Sequence, residues 1–194
     1  MDRDKELNFN LIYHDYYQNI YRYVAKLAGN NDAEDLTQEV FIKVDHALES
    51  FRGESQISTW VYRIATNVVM DNMRSMRSKN DQKNISLYDD VDIESDNIIA
   101  KKSIVEVDRQ LIQVDMNKCI RGIVDTLPDD YKLVLVLSQF EELKNREIAD
   151  ILQISLDTVK VRLHRARKQL QKKLGRNCCI YHDERNELVC DPRN

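Results

Sequence analysis

Between Thr158 and Arg176 the chain places eight Lys and Arg residues and no Asp or Glu. Cations at that density hold phosphate oxygens, and Arg and Lys also donate to guanine edges. A second group of reactive side chains follows directly: Cys178, Cys179, His182 and Cys190. Thiolate and imidazole are soft donors that suit zinc or copper, and two of the thiols can instead close a short disulfide loop. Adjacent Cys178 and Cys179 do not make a standard CxxC pair, so a free-thiol tail is the competing reading. Elsewhere nothing is spaced for turnover. His14, His46, His164 and His182 are scattered, no glycine-rich phosphate loop occurs, and no carboxylate pair carries a clear reaction. The chain reads as a binding protein, not an enzyme, with no required cofactor and only the tail as a candidate metal site.

The basic run needs a helix to present it. In the string REIADILQISLDTVKVRLHRARKQLQKKL, Ile148, Ala149 and Leu152 make the inner face of a short helix. Gln153, Ile154 and Ser155 form the turn, with Ile154 as a buried plug and Ser155 as the cap of the next helix. There Val159, Leu163, Ala166 and Leu170 point inward, while Lys160, Val161, His164, Arg165 and Lys168 point elsewhere. This is a helix-turn-helix whose second helix can enter a major groove. The bland alternative is a solvated basic face, which the turn, the cap and the small Ala149 disfavour. The motif alone does not separate a repressor from other readers of duplex DNA.

The remaining chain is helical in pattern. Its 194 residues contain 4 Gly and 2 Pro, too few for many short strands. Phe9, Ile12, Tyr16, Ile20, Tyr23 and Leu27 mark a first helix, ended at Gly29, with Asp32 able to cap the second. Leu36, Val40, Val44 and Leu48 stripe that second helix; Ser58 or Thr59 opens a third, with Trp60, Ile64, Val68 and Met73 inside. Pro128 fits the first position of a later helix, and Cys119 reads as buried and inert. The fold class is all-α: two small helical domains joined by an acidic linker. The domains run over residues 1–79 and 118–176, the linker over 80–117, and a Cys-rich tail over 177–194. No apolar run approaches the roughly 20 residues of a membrane span, and the charged N-terminus lacks a secretory core, so a soluble cytoplasmic protein without membrane contact is expected. Net charge is −4, and residues 80–118 hold nine acidic against five basic side chains. One basic helix in an acidic remainder should bind duplex weakly unless a larger partner holds it there.

Two strings carry a family resemblance. AEDLTQEVFIKVDHALESFRGESQISTWVYRIATNVVMDNMRSMRSK closely resembles region 2 of extracytoplasmic-function (ECF) sigma factors, and LPDDYKLVLVLSQFEELKNREIADILQISLDTVKVRLHRARKQL resembles their region 4. The order and spacing match, with no room for the region 3 domain of larger sigma factors. The resemblance implies a factor that binds core RNA polymerase and directs promoter recognition and melting for a stress- or signal-responsive gene set. Implied partners are core polymerase, promoter DNA as duplex and as melted strand, and an anti-sigma factor. By position, Asp35, Leu36, Gln38, Glu39 and Phe41 match the polymerase-docking helix. Phe51, Arg52, Gly53, Glu54, Ser55 and Gln56 match the loop that captures a flipped minus ten base, and Arg63, Asn67 and Arg74 the helix beside the melted strand. Trp60 matches that helix too, but an aromatic at this spacing reads first as core. Lys160, Val161, His164, Arg165 and Arg167 match the minus thirty-five reader, with Val161 replacing a common small hydroxyl residue. The alternative is a helix-turn-helix regulator that binds duplex as a dimer without polymerase, which leaves the first half of the chain unused.

Overall fold

Asn8 opens the first helix by accepting a hydrogen bond from the backbone N–H of Asn10 at 2.9 Å. The computed structural model describes residues 8–83, 120–182 and 188–192, with side chains over 8–78 and 120–176. Helix α1 spans Phe9–Ala28 and α2 spans Asn30–Leu48. Gly29 alone separates them, at φ 90°, a conformation that costs glycine little. This tight junction leaves no room for Asp32 as a cap. It lies in the first turn of α2 instead, where its charge suits the positive helix end. Helix α3, Ile57–Lys83, starts just ahead of the expected Ser58 or Thr59 and continues past residue 79. A further helix, α4, covers residues 120–125; α5 is Asp129–Gln139, α6 Asn145–Leu152 and α7 Leu156–Asn177. The chain then turns back on itself as an antiparallel hairpin, β1 Cys178–His182 with β2 Leu188–Pro192, which the sequence pattern did not announce.

Contacts group these elements into two units. One holds α1 to α3 with residues 136–159; the other holds α4, the start of α5, the remainder of α7 and the hairpin. In the first unit, α1 contributes Ile12, Ile20, Tyr23, Val24 and Leu27 to the core, and α2 contributes Ala33, Leu36, Val40, Phe41 and Val44. Helix α3 packs on α1, α2 and α6. Its buried arc is centred on Val61, Ala65, Val68 and Val69, small or β-branched residues that let neighbouring backbones approach. The expected inner stripe was therefore out of phase: Val68 is buried, but Trp60, Ile64 and Met73 are half-buried. Phe9, Tyr16 and Leu48 are likewise half-buried. The buried hydroxyls of Tyr23 and Thr66 in this core are satisfied locally. Thr66 donates to the Tyr62 carbonyl at 2.7 Å, which leaves the Tyr23 hydroxyl to donate to Thr66 Oγ1 at 2.8 Å.

The second unit closes over Val124, Leu127, Leu135 and Ala166, ringed by Ile120, Tyr131 and Leu170. Pro128 lies one residue before α5, where its carbonyl accepts from the N–H groups of Tyr131 and Lys132, both at 2.9 Å. Buried Lys132 pairs with Asp125, and Arg162 on α7 pairs with Asp130 at 2.7 Å. Cys119 and residues 84–117 of the expected linker lie outside the described residues.

The turn between α6 and α7 combines a strained residue with a good cap. Helix α6 starts with the Lys144 N–H donating to Glu147 Oε2 at 2.8 Å, the carboxylate reaching back to the N-cap backbone. Ile148, Ala149 and Ile151 are buried, whereas Leu152 and the plug Ile154 are half-buried. Gln153 ends α6 in the left-handed region at φ 52°, ψ 43°. Ser155 Oγ accepts from the Thr158 N–H at 3.1 Å. Gln153→Gly should therefore raise stability by about 0.5–1 kcal/mol by removing the Cβ penalty. Ser155→Ala should lower it by about 1 kcal/mol. Urea unfolding followed by circular dichroism reads both; a Gln153→Gly chain no more stable than the parent would mean that the turn stores no strain.

Candidate nucleic-acid interface

Three side chains inside α7 decide what its outside can do. Val159, Leu163 and Ala166 are buried, and their spacing turns Lys160, His164, Arg165, Arg167 and Lys168 outward, all exposed. Val161 stands among them at 47% exposure, an apolar contact surface with no hydrogen bond to offer. Asp157 in the first turn stabilises the positive end of the helix. The result is a cationic helix face preceded by a capped turn, able to hold phosphates and donate to base edges.

A second polar surface is divided between α3 and the loop before it. Asn67 and Arg74 are exposed; Arg74 lies 3.4 Å from Asp71, a solvent-bathed pair that restrains it little. Arg63 is half-buried, and its Nε is enclosed with no hydrogen-bond partner among the described residues. In the loop, Arg52, Gly53, Glu54 and Gln56 are exposed and Ser55 is half-buried. Gly53 holds φ 71°. Phe51 folds back on Trp60, ring centres 5.0 Å apart at 51°. Trp60 is thus neither fully core nor an open stacking platform: one side of its ring carries the root of the loop. Phe51 shares in that scaffold, which leaves the polar loop residues Arg52, Glu54 and Gln56 open to solvent.

Helix α2 supplies a third surface of different character. Asp35, Gln38 and Glu39 are exposed, while Leu36 and Phe41 are only 8% and 2% exposed. Phe41 is enclosed by the rings of Tyr13 and Tyr17, at 4.9 and 5.8 Å. Leu36 and Phe41 therefore fix the helix from beneath and do not present a surface. Sequence reasoning passed over Ile42, which is 56% exposed, one turn beyond Gln38, and next to Lys43, whose Nζ lies 2.8 Å from Glu39. An apolar residue on an otherwise charged helix face was the available signal.

Cys178, Cys179, His182 and Cys190 fall in the hairpin, where side chains lie outside the described residues. By register, Ile180 opposes Cys190, Cys178 opposes Pro192 and His182 opposes Leu188. Strand alternation then gives Cys178, His182 and Cys190 positions on one face of the ribbon, and Cys179 a position on the other. Among the described residues no group of three or more His, Cys, Asp or Glu is placed to hold a metal, and no helix is long and apolar enough to cross a membrane.

The comparisons agree across both halves. The family described as Sigma-70 region 2 matches residues 12–79, and Sigma-70, region 4 matches residues 117–170. The ECF RNA polymerase sigma factor SigW of Bacillus subtilis is 34% identical over 165 residues, covering 82% of this chain and 84% of that protein. The ECF RNA polymerase sigma-E factor of Escherichia coli is 28% identical, covering 86% of each. Among solved structures, the sigma factor RpoE of Bartonella quintana, crystallised with the anti-sigma factor NepR, aligns with a TM-score of 0.66 at 20% identity, covering 86% of this chain and 96% of that one. CnrH, in complex with the cytosolic domain of CnrY, aligns with a TM-score of 0.59 at 19% identity, covering 86% and 87%. These two share the helical fold. The capped cationic helix α7 and the acidic face of α2 thus lie in a chain that belongs to the ECF RNA polymerase sigma factors, a transcription initiation factor and not an enzyme.

Proposed function

We propose that this sigma factor docks on core RNA polymerase through the exposed face of α2, reads the minus thirty-five element through α7, and opens the minus ten element with α3 and the loop before it. The observation that carries the reading is the separation of charge: an outward cationic face on α7 and an outward acidic and amide face on α2, each held from beneath by its own buried residues. The cytoplasm is the setting this work requires. An anti-sigma protein is a further partner, supported by the structural neighbour from Bartonella quintana solved with the anti-sigma factor NepR. Run-off transcription with core polymerase on a library of promoter-like DNA is the direct test, and it also defines the gene set by sequence.

Reversing charge at Asp35 and Glu39 should weaken binding to core polymerase without unfolding the protein, because both side chains are exposed and neither is part of the core. A pull-down that captures the doubly reversed chain as well as the parent would remove α2 from the docking surface.

The two DNA-reading surfaces should fail at different stages. Arg165→Ala removes a base or phosphate contact worth about 1–3 kcal/mol and should reduce recognition of duplex promoter. Substitutions at Arg52, Glu54 and Gln56 should spare duplex docking and reduce opening, seen as lost permanganate reactivity of melted thymines. Equal defects of both variants on a pre-melted template would contradict this division.

A zinc, copper or redox role for the tail rests on the hairpin register, which groups Cys178, His182 and Cys190 and sets Cys179 apart. Reduced full chain should then take up one zinc ion, and a chain lacking residues 178–194 none. Equal uptake by both ends the idea.

A further inference from the structure

Val161 is 47% exposed, and among the described residues of α7 no other large apolar side chain stands out in this way: Val159 and Leu163 are buried, and Leu156, Leu170 and Leu174 are half-buried. Valine is a weaker helix former than Lys, Arg or Gln, and its methyl groups gain nothing in water. The stability of the free protein therefore does not call for it at this position. Its surroundings are polar. Val161, His164, Arg165 and Lys168 follow one another at steps of three and four, so they share one face of the helix, and all four are exposed. Arg162, the next residue in the chain, turns away from that face and pairs with Asp130 of α5 at 2.7 Å.

An apolar group among cations fits a polyanion that carries an apolar group between its charges. The major groove of duplex DNA is such a surface: phosphates line it, and among the groups on its base edges the C5-methyl of thymine is the apolar one. Valine neither donates nor accepts, so it cannot choose a base by hydrogen bonding. A methyl group packed against its own is what it can select. The β-branch holds valine in one strongly preferred rotamer on a helix, so little freedom is lost when the contact forms. Side chains three and four residues on lie about 5–6 Å away. That is within about two base steps of 3.4 Å, so His164 or Arg165 can hold the same stretch of groove.

We propose that Val161 is a specificity-determining residue that selects one thymine of the minus thirty-five element by packing on its C5-methyl group. The inference rests on the reading of α7 as the helix that enters that element, and it adds which base the apolar position favours. The cations around Val161 supply affinity that every sequence shares, and the methyl contact supplies a preference.

The test uses the full chain on core polymerase and a promoter duplex selected from the library of promoter-like DNA. Each thymine of its minus thirty-five element is replaced in turn by deoxyuridine, which removes the methyl group and keeps every hydrogen-bonding group. Binding is measured at one fixed salt concentration. At one position the parent should bind about fourfold more weakly, the worth of one buried methyl-sized group. Val161→Ala should lose the same factor on the thymine duplex and bind both duplexes alike, so that the two losses do not add. The exposed site and the high helix propensity of alanine keep that variant folded. Val161→Ile keeps a branched apolar side chain and should keep the discrimination. Arg165→Ala should weaken binding to both duplexes and leave their ratio unchanged. Three results overturn the proposal alone: a selected element without thymine, a parent indifferent to every replacement, or a Val161→Ala protein that still distinguishes the two duplexes. Arg165→Ala binding as tightly as the parent overturns the reading of α7 beneath it.

Discussion

A buried carboxylate must be answered from every side, and in this protein the answer to Glu141 comes from two helices far away in sequence. Lys26 lies 115 residues before it and Tyr62 lies 79 before it. Burial, followed by donation to the Glu141 carboxylate, raises the Tyr62 phenol well above its ordinary range, so the tyrosine keeps the proton that it donates. Burial does the same for Tyr23, whose hydroxyl proton goes to Thr66. The connection from Thr66 through Tyr23 and Tyr62 to Glu141 therefore carries its protons throughout the physiological range. It ties α1, α3 and the approach to α6 through specific directions that apolar packing alone would not set.

The same economy of charge explains how an acidic chain can read DNA. A net charge of −4 opposes duplex in solution, yet the cations of α7 lie on a helix without a single carboxylate after its first turn. On polymerase, the cost of bringing an acidic protein to DNA is shared with the larger partner, and the local face decides which sequence is held. The acidic face of α2 works in the same direction, opposing attachment of the free chain to indiscriminate duplex.

Much of this was legible before any coordinates. The sequence pattern located α1 to α3 and α5 to α7, and the Ser155 cap and the outward residues of α7 are where the pattern put them. Phase was harder. A three-helix environment buries a broad arc of α3, so a single stripe through Trp60, Ile64 and Met73 missed its centre. The Asp32 cap failed because the backbone found another solution: Gly29 alone turned the chain between the two helices. Leu36 and Phe41 sit beside exposed Asp35 and Gln38 in sequence, and only the aromatic cover from Tyr13 and Tyr17 shows that Phe41 faces inward. Glu141 could not be found by pattern at all, since a lone acidic residue in a polar segment carries no mark of partners so distant.

The cation count of α7 overstates its reading capacity for a related reason. Arg162 is spent on Asp130 at 2.7 Å, and Lys173 reaches the Thr126 carbonyl at 2.9 Å. These residues are eleven apart, close to three full turns, so they share one face of the helix. That face binds α7 to the polar ends of α4 and α5, while the apolar positions Leu163, Ala166 and Leu170 fill the core beside it. Lys160, His164, Arg165, Arg167 and Lys168 lie on the outer side and are exposed. Removing Arg162 or Lys173 would therefore tilt or loosen the helix, and on the proposed reading removing Arg165 would change what it reads. Both would weaken DNA binding, but loosening lowers affinity for every sequence together, whereas loss of a base contact lowers it most for the sequence that the contact had selected.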